Sequence, residues 1–313
     1  MSPPLVSIVV PTLNRLELLV QTLRSITLQD YGNLELIVSN NASKDGTFNF
    51  LSQLQNDRFQ VINRPFTIPM EANVNDAVKR ARGKYLLLLS DDDLISGSYI
   101  STMVQAFETD DTIQAGLGLR VLIDGESRIV HQADPLSSAA MSEPAEPWLI
   151  RYFASPVAHN QINTVFSTFY RRTEWLRFEQ PTLSASYFSD TIPFVGVNSP
   201  KSKIFYAPEA VFLYRIHQKQ ESTQATSVES QTYLGLFQFF EHLRPILGDF
   251  SRSEHFKRAI TQYMIMMFRG ACGRFLIKEN IDPSALQTFF YEFLDQTRSP
   301  ADVHVGMLHG NEI

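Results

Sequence analysis

Apolar runs and helical spacings alternate along the first hundred residues. Leu5-Val6-Ser7-Ile8-Val9-Val10 is a β-branched run stopped by Pro11, which predicts a first buried strand. Leu16, Leu19, Leu23 and Ile26 recur at helical spacing, so a helix is expected from Leu16 to Leu28, with Thr12 or Asn14 as its cap. Leu34 to Val38 reads as a second strand. It leads into Ser39-Asn40-Asn41-Ala42-Ser43-Lys44-Asp45-Gly46-Thr47, a loop of turn formers. Phe48 to Leu54 reads as a helix, Phe59 to Ile62 as a third strand, and Asn73 to Ala81 as a helix closed by Gly83. Tyr85-Leu86-Leu87-Leu88-Leu89 is apolar throughout, as a strand buried on both faces should be, and it runs straight into Asp91-Asp92-Asp93. Strands alternating with helices imply right-handed crossovers and a parallel sheet, whose ligand site lies at the strand carboxyl ends. Thr12-Leu13-Asn14-Arg15, Asn40-Asn41 and the three Asp all fall at those ends.

The second half is less regular. Ser96 to Phe107 continues as a helix, Gln114 to Ile123 as a strand, and Asp124-Gly125-Glu126 as a hairpin turn before Ser127 to His131. Asp134 to Pro147 holds Pro135, Pro144 and Pro147 and is expected to be a loop that orders around a ligand. Trp148 to Phe153 is expected as a helix and Phe166 to Arg172 as a strand, with a helix starting at Thr173; Asp190 precedes a helix start near Thr191. The polar stretch Gln218 to Ser230 suits a lid or linker. Beyond it, apolar faces through Tyr233 to Leu243, Ala259 to Phe268 and Leu286 to Leu294 predict amphipathic helices. Packing on the main domain or on another subunit explains them. The alternative is a membrane surface, on the strength of Lys257, Arg258, Arg269, Arg274 and Lys278. Ser299 to Ile313 is polar and expected to fray.

Composition narrows the classes. The 313 residues suffice for one large domain with an appendage, or for two domains; at 44% hydrophobic and 19% charged the chain is globular. A net charge of -6 argues against general nucleic-acid binding, and Cys272, the single cysteine, excludes an internal disulfide and a thiolate metal cluster. No signal peptide and no apolar run of the ~20 residues that span a bilayer are seen, which makes a cytoplasmic protein the expectation. Three adjacent carboxylates repel unless a cation intervenes, so Asp91-Asp92-Asp93 at a strand end points to a hard divalent ion and a phosphate-bearing ligand.

Val9-Val10-Pro11-Thr12-Leu13-Asn14-Arg15, then Glu35-Leu36-Ile37-Val38-Ser39-Asn40-Asn41-Ala42-Ser43-Lys44-Asp45-Gly46-Thr47, then Gly83-Lys84-Tyr85 leading to the Asp cluster, together resemble the glycosyltransferases of family two. The resemblance covers about the first hundred residues, with motif order and spacing intact. It implies the GT-A fold, an α/β architecture with a mostly parallel, Rossmann-like sheet. The catalytic domain would span 1–222 (nucleotide-sugar half 1–110, acceptor half 111–222), with a helical region at 223–313. The implied activity moves a sugar from a nucleotide-diphosphate sugar to an acceptor hydroxyl on a saccharide or lipid-linked glycan, with inversion. Pro11, Thr12, Asn14, Arg15, Asn40 and Asn41 would hold the nucleoside and Asp91 the ribose. Asp92 and Asp93 would hold Mg or Mn against the diphosphate, His217 would complete the metal site or touch phosphate, and Arg215 would neutralise charge. Asp190 matches the general base by position, with Asp134 and Glu143 as competitors. The C-terminal helices would allow peripheral membrane contact or a homo-oligomer.

One departure stands out. The family usually has Asp at the position of Asn40, so the choice among uridine, cytidine and thymidine donors is open, and Asn40 is also suited to shaping the turn. Two rival classes remain. A sugar-1-phosphate nucleotidyltransferase needs a Gly-rich, Arg-containing loop after its first strand, and Pro11-Thr12-Leu13-Asn14-Arg15 is not one. A silent sugar-nucleotide-binding module would not need the intact Asp cluster and a candidate base.

Overall fold

The computed structural model describes residues 2–54, 57–132, 134–154, 165–177, 191–217, 250 and 253–278. The first half follows the expected alternation: β1 (Val6–Thr12), α1 (Leu16–Thr27), β2 (Leu34–Asn40), α2 (Thr47–Ser52), β3 (Phe59–Asn63), α3 (Met70–Arg80) and β4 (Tyr85–Leu88). β1 pairs in parallel with β2 and β4, and β2 with β3. Gly83 permits this close packing. A Cβ there would lie 2.6 Å from both the amide nitrogen and Oγ of Ser7 in β1.

The sheet then turns mixed. β5 (Leu94–Ile95), α4 (Tyr99–Thr109), β6 (Ile113–Ile123), β7 (Ile129–Gln132), β8 (Met141–Pro144), α5 (Ala145–Ala154), β9 (Phe169–Arg171) and β10 (Lys203–Arg215) complete an order β3-β2-β1-β4-β9-β6-β10-β5, with β7 on β6 and β8 on β10. β9 runs antiparallel to both β4 and β6, while β10 runs parallel to β6 and antiparallel to β5 and β8. The parallel expectation therefore holds for the first four strands of that order and gives way beyond β4.

One further expectation is corrected. The stretch Asp134 to Pro147 is not all loop: β8 edges the sheet, and Pro144 ends it, where a missing N–H costs least. Pro147 sits in the first turn of α5, where the ring is also tolerated. The 13-residue strand β10 carries a register shift between Ala207 and Val211.

Side chains on opposite faces of β1 enter opposite cores, Val9 on one side and Ile8 with Val10 on the other. α1 and α4 cover the second core through Leu19, Leu23, Tyr99, Met103 and Phe107. α3 and α5 cover the first, together with the long helix Glu254–Lys278. That helix packs on α5, with Phe153 6.0 Å from Phe256 and 5.0 Å from Tyr263 between ring centroids. The expected apolar face at Ala259, Ile260, Tyr263 and Met264 is buried against the domain. The faces expected at Tyr233 to Leu243 and Leu286 to Leu294, and the polar stretch Gln218 to Ser230, lie outside the described residues. Among the described residues no helix is long and apolar enough to cross a membrane.

Candidate active site

The register of the sheet brings the polar loops to one edge. Thr12 at the end of β1 is level with Asn40 at the end of β2, and Leu89, following β4, donates its N–H to Val9. The five residues between β4 and β5, Leu89 to Asp93, then fold the Asp cluster back onto the sheet. β5 pairs with Phe212 and Leu213, which sets Arg215 beside it.

Two loops are stitched together ahead of α1. Asn14 adopts φ 57°, its N–H meets Ser43 Oγ, and its Oδ1 accepts the Lys44 N–H at 2.7 Å. Neither Thr12 nor Asn14 caps α1. Asp45, from the other loop, accepts the Leu16 N–H at 2.9 Å and fills that role. Asn40 Oδ1 accepts the Ser43 N–H, and Asn40 Nδ2 donates to Asn63 at 2.9 Å. Asn41 clasps Ile68 through both ends of its amide and so fixes the β3–α3 loop. Asn14, Asn40 and Asn41 thus shape the loops they sit in. Pro11 lies within β1 beside Ser39.

All three Asp are buried. Arg15 Nη1 donates to Asp91 Oδ1 at 2.9 Å and to Asp92 Oδ2 at 3.1 Å. His217 Nε2 lies 3.0 Å from the same Asp92 oxygen, and Ser90 donates to Asp92 Oδ1 at 2.6 Å. Burial pushes the Asp91 carboxyl up to about 6; the Arg15 charge pulls it back and the Asp92 charge adds to it. Burial, then the neighbouring Asp92, also hold Asp93 well above the usual range. Asp91 Oδ2 and Thr12 Oγ1 are both buried without a partner at hydrogen-bonding geometry, although Thr12 is near enough to draw the Asp91 carboxyl down.

Asp93 faces away from this group. Its Oδ1 accepts the Arg215 N–H at 2.8 Å, and its carbonyl accepts from Thr22. Arg215 is fully buried and points inward. Nε donates to the Asp92 carbonyl at 2.7 Å, Nη1 to the Asp124 and Gly125 carbonyls and Ser127 Oγ, and Nη2 to Gln21. The expected contact between Arg215 and phosphate is therefore replaced by a clamp on the backbone of the Asp loop. Among the described residues no three His, Cys, Asp or Glu side chains converge as a metal cluster; Asp92 and His217 converge as a pair. Glu143 is held in an ion pair with Arg151, and Asp134 is exposed. Asp190 lies outside the described residues. Sequence reasoning passed over Gln21, Thr22, Asn63 and Ser90. Only Ser90, next to the Asp cluster, carried a local signal.

Known proteins resemble this chain in sequence and fold. The sequence matches the family described as Glycosyl transferase family 2 over residues 7–174, more than half the chain. A Campylobacter jejuni protein named GalNAc(5)-diNAcBac-PP-undecaprenol beta-1,3-glucosyltransferase is 27% identical over 269 residues, 84% of this chain and 81% of its own. An Escherichia coli UDP-Glc:alpha-D-GlcNAc-diphosphoundecaprenol beta-1,3-glucosyltransferase, WfaP, is 28% identical over 34% of this chain and 42% of its own. Among solved structures, S. aureus TarS 1-349 in complex with UDP-GlcNAc superposes with a TM-score of 0.65 at 16% identity, over 98% of this chain and 87% of that one. A mannosyltransferase from Pyrobaculum calidifontis, in complex with GDP-Man and Mn2+, gives a TM-score of 0.50 at 16% identity, over 100% of this chain and 89% of that one. The chain belongs to glycosyl transferase family 2 and is a glycosyltransferase with the fold that family shares.

Proposed function

We propose that the protein transfers a sugar from a nucleotide-diphosphate donor to a hydroxyl of a lipid-linked glycan, with a divalent cation held by Asp92 and His217. The observation that carries the reading is the convergence of Arg15 and His217 on Asp92 Oδ2 at the sheet edge. The residues fit a hard cation. Oxygen and imidazole ligands are present, two further carboxylates are buried within the same loop, and Asp91 keeps an orphaned oxygen. The ion, when bound, supplies neutralisation of the charge that develops on the departing diphosphate.

The chain's own residues do the rest. Asp91 Oδ2 accepts a ribose hydroxyl. Asn40 retains a second Nδ2 hydrogen for the base. Arg15 delivers positive charge to the phosphates. Arg215 holds the Asp loop from behind and does not touch the donor. Asp190 takes the acceptor proton as its oxygen attacks the anomeric carbon from the opposite side, which gives inversion.

The lipid-linked acceptor is supported by the names of the C. jejuni and E. coli relatives, the nucleotide donor by the UDP-GlcNAc and GDP-Man complexes. A thermal-shift screen of uridine, cytidine, thymidine and guanosine diphosphates, each with and without Mn2+, tests the donor half. One nucleotide should raise the melting temperature, and more so with Mn2+. No shift with any of them contradicts the reading.

A further inference from the structure

We propose that Arg15 is the resident counter-ion of the Asp91–Asp92 pair, and that it leaves Asp92 for the diphosphate when a metal–nucleotide binds. The inference rests on the proposed metal site at Asp92 and His217. A carboxylate oxygen offers about two lone-pair positions. Both positions of Asp92 Oδ2 are engaged, by Arg15 Nη1 at 3.1 Å and His217 Nε2 at 3.0 Å, while Oδ1 accepts from Ser90. A cation held by Asp92 and His217 takes the position that His217 vacates, and it then shares Asp92 Oδ2 with Arg15. Two positive groups on one oxygen repel each other at short range in a buried setting.

Arg15 is built to move without unfolding its surroundings. It stands at the N-cap position of α1, and that helix end is held by Asp45 on the Leu16 N–H, not by the Arg15 side chain. The side chain is 18% exposed, whereas the Asp91 and Asp92 side chains are 4% and 6% exposed. The carboxylates stay fixed, and a long flexible stem carries the guanidinium. A diphosphate brings the negative charge that Arg15 gives up at Asp92, and a planar guanidinium suits phosphate oxygens.

The consequence is a site that discriminates between free metal and metal with nucleotide. Arg15 competes with the free ion and assists the ion–diphosphate pair. Metal and nucleotide then strengthen each other's binding through this one side chain, and the effect is reciprocal.

Electron paramagnetic resonance of free Mn2+ reads binding of the metal alone, and calorimetry reads UDP with Mn2+ present. Arg15→Gln should bind Mn2+ alone about 5- to 150-fold more tightly than the native protein, the usual span of such a coupling, and bind UDP with Mn2+ more weakly. Arg15→Met, which keeps the stem, should behave as Arg15→Gln does. Arg15→Lys, which keeps the charge, should leave Mn2+ affinity near the native value. If neither neutral variant binds Mn2+ alone more tightly, while Asp92→Ala still abolishes Mn2+-dependent UDP binding, the metal site stands and the counter-ion role of Arg15 is overturned. If Asp92→Ala leaves Mn2+ and UDP binding unchanged, the metal site fails and this inference fails with it.

Discussion

Arg215 Nε donates to the backbone carbonyl of Asp92 at 2.7 Å, so the residue that carries the proposed metal ligand is held from inside the protein. The same guanidinium reaches the turn after β6 and Gln21 on α1. It joins three elements far apart in sequence at the one point where the carboxylates must be rigid.

Removing that clamp should cost stability. Arg215→Ala leaves the carbonyls of Asp92, Asp124 and Gly125 and the amide of Gln21 without their donor. Only Asp92 of these is buried, and a buried polar group left unpaired costs about 1–3 kcal/mol, so a loss of about 1–3 kcal/mol is expected in urea unfolding. Arg215→Lys should lose most of this too, because one ammonium cannot span the same acceptors. A loss below about 1 kcal/mol would mean that the loop does not depend on the clamp.

The metal-free protein should lose stability as pH rises. Asp91 is held at about 6, above its ordinary 3.8, chiefly by burial. A carboxyl raised in the folded state contributes stability that is present below 3.8 and lost as pH rises through about 6. Glu35 runs the other way. Burial raises it, but Ser7 and Arg82 outweigh burial, so its contribution is lost only on the acid side, below 4.5. From about pH 5 to about pH 7.5 the Asp91 share of the loss is on the order of 1 kcal/mol, and Asp93 adds in the same direction. Chemical unfolding at the two pH values checks this, and Asp91→Asn should flatten the difference.

The first half of the fold was legible because each of its signals is local. β1, β2 and β4 announce themselves as apolar runs, and Thr12, Asn40 and Asp91 follow those runs directly. The second half was harder. β8 lies inside a Pro-rich stretch and exists because β10 offers it an edge. A register shift in β10 spoils its alternation. The cap on α1 comes from Asp45, 29 residues downstream of Leu16, where no spacing rule reaches. The direction of Arg215 depends on acceptors in α1 and after β6. Its sequence position beside His217 suggested a ligand contact that its inward guanidinium does not make.

Asn40 tests how the base is read. Asn40→Asp keeps the acceptor for the Ser43 N–H but cannot donate to the ring nitrogen of cytosine. Uridine diphosphate should gain on cytidine diphosphate in competition binding. An unchanged ratio would assign Asn40 to the loop alone.

Asp190→Asn should lower turnover by at least about 100-fold while leaving donor affinity near its native value, because only the acceptor proton loses its base. Steady-state transfer rates and UDP calorimetry on the same preparation separate the two. Transfer at the native rate would move the role elsewhere, with Asp134 and Glu143 next to be tested.

The central claim is that Asp92, and not Asp93, couples the nucleotide to a metal. Asp92 meets Arg15 and His217, whereas Asp93 is turned to the Arg215 N–H. The direct measurement is calorimetry of UDP in Mn2+ with Asp92→Ala and Asp93→Asn beside the native protein. Asp92→Ala should abolish Mn2+-dependent binding, and Asp93→Asn, which keeps the oxygen for Arg215, should stay within about tenfold of native affinity. Native affinity in Asp92→Ala, or lost binding in a folded Asp93→Asn, would contradict it.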